Sequence, residues 1–327
     1  MSQESDAPRR RGPFGWIAAI LCWLLLLSLA AVVAGWMGGD VRTWSLLLSW
    51  VPAVALLPVI VIGLLLVGFV RGGMGTFLWR AFALCLAFVL AWILGTELGL
   101  FRAGDEEPSD FVVAHWNASW PSKYQSLDSA YSALTDTNAD LIVITEPGQF
   151  GWGEDGQAFQ RQWPYSARPH NALLLSRVPF SQVHPVLSAD GIDLVLVKLN
   201  IDDRPATIWV VDLPSDPTRL RSKVFSTLKE KAQAAGISAP DLILGDLNVT
   251  RHSRALEHAF PKFRNAFDEG GVGWSGTWWR DFPLWHLDQI LVSPSMRSIR
   301  YEVLNPGVGD HRIQRAALRW NTRNPQR

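Results

Sequence analysis

Residues 242–248 read LILGDLN, an apolar run of Leu242, Ile243 and Leu244 that stops at Gly245, Asp246, Leu247 and Asn248. A short apolar run closed by turn residues reads as a buried strand. Its polar residues then stand where the strand reaches a sheet edge. The pattern recurs along the chain. Phe111–Ala114 runs into His115, Trp116 and Asn117, Leu141–Thr145 into Glu146 and Pro147, and Thr207–Val211 into Asp212. Further on, His286, Leu287 and Asp288 precede the run Gln289–Val292, and Gly309, Asp310, His311 and Arg312 follow later. Ala172–Leu175 and Leu194–Leu199 are two more strand-like runs. One acid after a strand is usually a turn or cap residue. Five acids and a histidine placed this way can converge on one rim and favour a site.

Helical patterns lie between some of these strands. Leu127, Tyr131 and Leu134 mark a helix over 124–137, and Leu220, Val224, Phe225 and Leu228 mark one over 216–234 that opens at Asp216-Pro217. Strands so outnumber helices that a plain doubly wound sheet fits poorly. Two packed sheets covered by helices fit better, within the α/β (α+β) class.

The 327 residues carry 30 Lys+Arg and 30 Asp+Glu, which excludes a strongly basic nucleic-acid coat and an acidic tail. Two cysteines exclude a disulfide scaffold and a four-thiolate zinc site. The average conceals two materials. No charge occurs from Gly12 to Gly39 or from Thr43 to Val70, and each run exceeds the ~20 apolar residues that span a bilayer. A weaker run over about 75–96 carries Arg80 near one end and is closed by Glu97 at the other. The reading is a cytoplasmic tail over 1–12 and a membrane anchor over 13–100 with three helices at about 14–37, 46–70 and 75–96. A charged linker over 101–110, a soluble domain over 111–320 and a tail over 321–327 follow. Arg9, Arg10 and Arg11 precede the first run and Arg71 and Arg80 flank the second loop, so both should be cytoplasmic. Three spans then put the domain in the periplasm or outside a bacterial plasma membrane. Cys22 and Cys85 fall inside spans, leaving the outer domain without cysteine.

Carboxylate and amide oxygens suit Mg²⁺ or Mn²⁺ better than zinc. Such an ion can hold a phosphate oxygen and neutralise developing charge, while an Asp activates water and an Asp–His pair supplies the other proton. With these residues in this order, the chain resembles the endonuclease/exonuclease/phosphatase superfamily over about 110–320. Trp116-Asn117 is similar to its early "WN", Glu146 in ITEP to its metal-binding glutamate, and Asn171–Arg177 (NALLLSR) to its "GxALLSR" strand. LGDLN resembles its "GDFN", His286–Ser293 (HLDQILVS) its "IDHILVS", and Gly309–Arg312 (GDHR) its terminal "SDHR". The resemblance implies a four-layer sandwich, two mixed β-sheets flanked by helices, here preceded by an anchor as in a bacterial membrane-anchored branch.

It also implies roles. Glu146 holds the divalent metal with Asn117 beside it, and Asp310 helps with the metal or the histidine. Asp246 aligns or deprotonates the attacking water, and Asn248 binds phosphate. His311 stabilises the transition state or acts as acid, oriented by Asp288. One departure stands out. Asp212 occupies a place where the family often has a histidine, and a carboxylate there repels phosphate unless it meets a second cation, is protonated or faces away. His170 can supply the missing donor beside Asn171, or be a surface-loop histidine. His115, His184, His252 and His258 read as structural or exposed.

The substrate is open at this level. Net charge on the residues after 100 is −2, from 24 basic and 26 acidic side chains, so there is no general basic field for duplex DNA. Arg219, Arg221 and Lys223 read as a solvated helix face. Residues 274–285 (WSGTWWRDFPLW) place Trp274, Trp278, Trp279 and Trp285 just before Asp288. They can line the substrate entrance, with Trp278 as a contact, stack bases, dip into the membrane, or simply pack beneath a loop. The first expectation is a membrane-anchored phosphoesterase on a lipid or small molecule. The alternatives are an extracytoplasmic nuclease acting on nucleic acid and a non-catalytic scaffold of the same fold.

Overall fold

The computed structural model describes residues 13–102, 109, 111–121 and 126–321. The expected tails, most of the 101–110 linker and the start of the 124–137 helix lie outside them. Three helices come first: α1 Pro13–Gly38, α2 Leu56–Val67 and α3 Gly73–Trp92. Then follow β1 Phe111–Asn117, α4 Asp128–Asp136, β2 Leu141–Thr145, α5 Gly153–Gln160, β3 Tyr165–Ala167 and β4 Ala172–Ser176. Next are β5 Phe180–Ala189, β6 Ile192–Ile201, β7 Arg204–Asp212, α6 Arg221–Ala234, β8 Leu242–Asp246 and α7 Arg254–Ala259. The chain ends with β9 Arg264–Asn265, α8 Ala266–Gly270, β10 Asp288–Val292, β11 Met296–Leu304 and β12 Ile313–Trp320.

The strands form two six-stranded mixed sheets, ordered β11-β12-β1-β2-β4-β3 and β5-β6-β7-β8-β10-β9. Val113, Leu141, Leu174, Val197, Ile208 and Leu244 meet between the sheets in the central core. Outside the first sheet, Ala130 and Leu134 of α4 and Phe159 of α5 pack on Ile142 and Leu173. Outside the second, Val224, Phe225 and Leu228 of α6 pack on Leu196 and Ile243. Strands with every residue buried, such as β1, β2, β4, β8 and β10, must be apolar on both faces because each face meets another layer.

The three-helix anchor needs correcting. Two helices are long and apolar enough to cross a membrane, Phe14–Val41 and Gly73–Glu97. The middle one, α2, has 12 residues, about 18 Å at 1.5 Å per residue, well below the ~30 Å of a bilayer core. Pro52 explains the shortening. It has φ −72° and ψ 144° and lies between two 3₁₀ turns, Leu48–Trp50 and Ala53–Ala55. Ser45 and Ser49 tighten the preceding turns by donating to the carbonyls of Gly39 and Leu46 at 2.6 and 2.7 Å.

The apolar helices pack on the sandwich. Asp40, at the end of α1, accepts from Ser253 Oγ and from the amide of Ala255 at 2.9 Å, so it caps α7. Beyond α3, the carbonyl of Thr96 accepts from Arg251 at 2.8 Å. The carboxyl ends of both long helices therefore meet the same domain. Gly15, at the other end of α1, lies against the carbonyl of Phe69. Two helical details also differ from expectation. Asp216 Oδ1 accepts from the amide and hydroxyl of Thr218 at 2.9 and 2.7 Å, a local turn, and the helix begins later at Arg221. Arg221 is not on a solvated face: it is fully buried and donates to the carbonyls of Pro214 and Asp216 at 2.6 and 3.0 Å.

Candidate active site

Register puts the strand-end residues together. β1 and β2 are parallel with Asn117 opposite Thr145, and β7 and β8 are parallel with Asp212 opposite Asp246. Parallel neighbours finish at the same rim. β10 is antiparallel to β8 and starts where β8 ends, pairing Asp288 with Asp246. Gly245 makes this approach possible. Its φ is +147°, and a Cβ there would sit 1.7 Å from the carbonyl oxygen of Val211 in β7. Only glycine lets β8 lie that close to β7.

Asp246 is buried at the centre. Its Oδ2 accepts from Asn117 Nδ2 at 2.8 Å and its Oδ1 from the Asn248 amide at 2.9 Å. Asn248 is itself held by donating from Nδ2 to the Leu213 carbonyl at 2.8 Å. His311 Nδ1 lies 2.8 Å from Asp288 Oδ2, and His311 Nε2 lies 3.7 Å from Asp246 Oδ2. Asp310 Oδ1 is 3.9 Å from the same nitrogen, and Asp310 accepts from Ser119 Oγ and from Trp278 Nε1 at 3.3 Å. Glu146 follows β2 with φ +48° and is half-buried beside Asn117 and Trp120.

Burial and like charge set the protonation. Burial, then the neighbouring Asp288 charge, raises Asp246 to about 7. Burial pulls His311 down, but Asp288 and Asp246 outweigh it and lift the imidazole to about 10. Burial opposes ionisation of Asp288 too, yet the His311 charge holds its carboxyl below the usual range. Burial raises Glu146, and burial followed by the Asp246 charge pushes Asp212 well up. Asp212 does not face away: it is buried and accepts from Asn171 Nδ2 at 3.0 Å.

Asp246, Asp288, Asp310 and Glu146 thus gather around one imidazole, with Asp212 beside Asp246, an accumulation of acids that a divalent cation would relieve. Ligand atoms of Asp246, Asp288 and His311 all lie within 4.8 Å of one another, and these three could hold such an ion. The His311–Asp288 hydrogen bond already occupies one atom of each. The carboxylate oxygens of Glu146, Asp246 and Asp310 are harder donors than the imidazole, although those of Asp246 and Asp310 already accept hydrogen bonds from Asn117, the Asn248 amide, Ser119 and Trp278.

The other expected residues divide. Trp278 is at the site through Asp310, and Asn171 through Asp212. His170 stays on the rim, exposed, with Nδ1 4.0 Å from Asp193 on the strand beside β7. His115 is fully buried behind the site, Nε2 3.1 Å from Thr145 Oγ1 and Nδ1 3.7 Å from Asp288 Oδ1. One site residue has no sequence signal of its own: Thr277 Oγ1 accepts from the amides of Leu287 and Asp288 at 3.1 and 3.3 Å. Trp116, of the WN pair, donates from Nε1 to the His311 carbonyl at 3.3 Å.

The endonuclease/exonuclease/phosphatase family model matches residues 114–311, which takes in every acid of the rim and His311. The chain belongs to the endonuclease/exonuclease/phosphatase family. Its activity class is therefore that of metal-dependent hydrolases of phosphate esters. Solved structures agree on the fold. A mannosyl-6-phosphatase from Bacteroides thetaiotaomicron has TM-score 0.50 and 15% identity, covering 64% of this chain and 99% of its own. A family protein from the same species gives TM-score 0.50 and 15% identity over 66% and 97% of the two chains. One from Bacteroides vulgatus gives 0.50 and 15% over 64% and 99%. No curated protein matches this chain.

Proposed function

We propose that the protein is a membrane-anchored phosphoesterase that uses Mg²⁺ or Mn²⁺ to hydrolyse a phosphodiester or phosphomonoester by in-line attack of water. The observation that carries this is the buried Asp246 facing the His311–Asp288 pair. Asp246 sits near 7, where it can accept a proton from water at neutral pH. Its two oxygens are oriented by Asn117 and the Asn248 amide, so the free lone pairs have fixed directions. Asn248 spends one amide hydrogen on Leu213 and keeps the other for a phosphate oxygen. His311 keeps Nδ1 on Asp288 and turns Nε2 toward the site, where its proton can neutralise phosphate charge or pass to the leaving oxygen. Asp212, taken as protonated, becomes a donor in the place where relatives often have histidine. Glu146 and Asp310, with Asn117 beside them, would hold a divalent cation, which would supply charge neutralisation at the phosphate and leaving group.

For location, the two long apolar helices run the same way, with their carboxyl ends at the catalytic domain. Arg71 lies toward the other end, and Arg9, Arg10 and Arg11 precede α1 in the sequence, which supports a cytoplasmic amino terminus and a periplasmic or extracellular domain. The substrate is a lipid or small phosphate ester on the reading we favour. Exposed Trp279 and Phe282 flank the site on the loop that also touches the apolar helices, where aromatic side chains suit a headgroup region. A second reading, nucleic acid, is favoured by exposed Trp120 beside Glu146 and by exposed Trp152, with Arg168 5.7 Å over the Trp152 ring.

The test is the full chain in detergent with Mg²⁺ or Mn²⁺, offered an aryl phosphodiester, plasmid DNA, RNA and phospholipid vesicles. Activity abolished by Asp246→Asn and by His311→Ala supports the assignment. Activity unchanged in both variants overturns it.

A further inference from the structure

The turn between α1 and α2 and the residues after α3 reach into the catalytic domain at points next to the site. Trp36 Nε1 donates to the Val51 carbonyl at 3.0 Å and stacks on Trp92 at 5.8 Å, which fixes the turn Leu48–Trp50 against the ends of both long helices. Trp285 Nε1 then donates to the Trp50 carbonyl at 2.8 Å. Trp285 pairs with Trp278 by backbone hydrogen bonds of 2.9 and 2.8 Å, and their rings lie 5.2 Å apart. Trp278 donates to Asp310, and the amide of Arg280 donates to the Asp310 carbonyl at 2.6 Å. The line from Trp50 to the residue beside His311 is therefore continuous, with two tryptophans between.

A second line reaches the site through the loop after Asn248. Arg251 stands three residues after Asn248, its side chain nearly fully buried. It donates to the Thr96 carbonyl at 2.8 Å, lies 3.4 Å from Glu97, pairs with Asp268 of α8 and covers the Phe267 ring at 4.9 Å. The loop that leaves Asp246 and Asn248 is thus pinned between residues that follow α3 and the body of the domain.

We propose that the amino-terminal apolar segment is a working part of the catalytic site, with Trp285 and Arg251 as positioning residues that carry its placement to Asp310–His311 and to Asn248. Neither residue touches the reacting atoms. Each transmits a position, and a displacement on the order of 1 Å at a catalytic group can cost about a hundredfold in rate. The inference rests on the phosphoesterase reading for its kinetic arm only.

The experiment uses the full chain in detergent with Mg²⁺ and an aryl phosphodiester. Trp285→Phe keeps an aromatic ring against Trp278 and loses the N–H to Trp50 together with part of the indole's packing. It should lower kcat about tenfold or more with KM within about twofold. Trp278→Phe should also lower kcat. Because the two act in series, the double variant should be no slower than the slower single one. Arg251→Lys should restore part of what Arg251→Ala loses. Hydrogen exchange measured by mass spectrometry gives a readout independent of turnover: Trp285→Phe should speed exchange at 309–312, and Arg251→Ala at 247–251. A kcat for Trp285→Phe within twofold of the parent, or effects that multiply in the double variant, overturns the proposal. So does unchanged exchange in both segments. If the parent chain hydrolyses nothing, the phosphoesterase reading fails, and the exchange arm alone decides this proposal.

Discussion

Replacing Asp288 by asparagine should remove most of the pH dependence of stability that His311 creates. Asp288 is fully buried and lies 2.8 Å from His311 Nδ1, and it is the first of the groups that lift His311 to about 10. The ordinary value is 6.5. At 1.36 kcal/mol per pH unit, the folded protein favours the imidazolium by about 5 kcal/mol. The folded-state pKa is above the unfolded one, so this stability is fully present below pH ~6.5 and is lost as pH rises toward ~10. Asp246 complicates the lower part of the range, since it titrates near 7. Between pH 7.5 and 10 the parent should lose about 3 kcal/mol through His311, or roughly 6–12 °C in Tm for a domain of this size. Asparagine keeps the shape and an acceptor for Nδ1–H but drops the charge, so His311 moves back toward its ordinary value. The variant should lose less than about 1 kcal/mol through His311 over the same window. It should also start lower at pH 7.5, because a broken buried pair costs ~3–5 kcal/mol. The assay is tryptophan-fluorescence melting of the full chain in detergent, with chelator present so that no cation competes with His311. Parallel curves of Tm against pH for the two proteins would refute the account of how His311 is held.

The other expectations are simpler to check. Gly245→Ala drives a Cβ into the Val211 carbonyl and should lower stability by ~3 kcal/mol or more, read as a fall in Tm at every pH. Chelation should abolish hydrolysis, and Mg²⁺ or Mn²⁺ should restore it in the parent but not in Asp246→Asn. A carboxyl-terminal reporter that works only outside the cytoplasm should be active in living bacteria. Activity of a cytoplasm-only reporter would reverse the proposed orientation.

Much of the central architecture is legible because the buried strands are apolar on both faces. The run 141–145 matches β2 without error, and 242–244 and 289–292 fall inside β8 and β10. The unseen strands lack that signal for identifiable reasons. β5 is mostly exposed and contains Pro185, so its sequence is that of an edge. β12 carries Arg315 and Arg319 within its eight residues. Arg315 holds Glu302 on the neighbouring β11 and the Thr137 carbonyl, a use that no local pattern announces. The acids of the site are legible for the opposite reason. A carboxylate at the end of an apolar run is conspicuous, and parallel or antiparallel register then fixes which ends meet. His170 shows the limit of this logic. It precedes a buried strand as the others follow one, yet its ring turns to the rim and Asn171 takes the contact with Asp212.

Charge counting also inverts its meaning once the chain is folded. Asp40 and Glu97 look in sequence like punctuation that ends two apolar runs. In the structure Asp40 caps α7, and Glu97 lies against Arg251 and accepts from Ser275 at 3.2 Å. Arg221 belongs with them. It looks like one cation on a solvated helix, but its guanidinium is buried against two carbonyls and 5.5 Å from the Trp50 ring, with Asp40 near enough to favour its charge. A buried cation with incomplete partners would cost several kcal/mol. Here part of its compensation comes from the turn between the apolar helices. The domain therefore carries, in its own interior, a charge whose environment the amino-terminal segment completes, and the same turn supplies the acceptor for Trp285. These contacts join segments more than 150 residues apart in sequence, and they explain why the segment that looks most like a passive anchor is built into the domain it precedes.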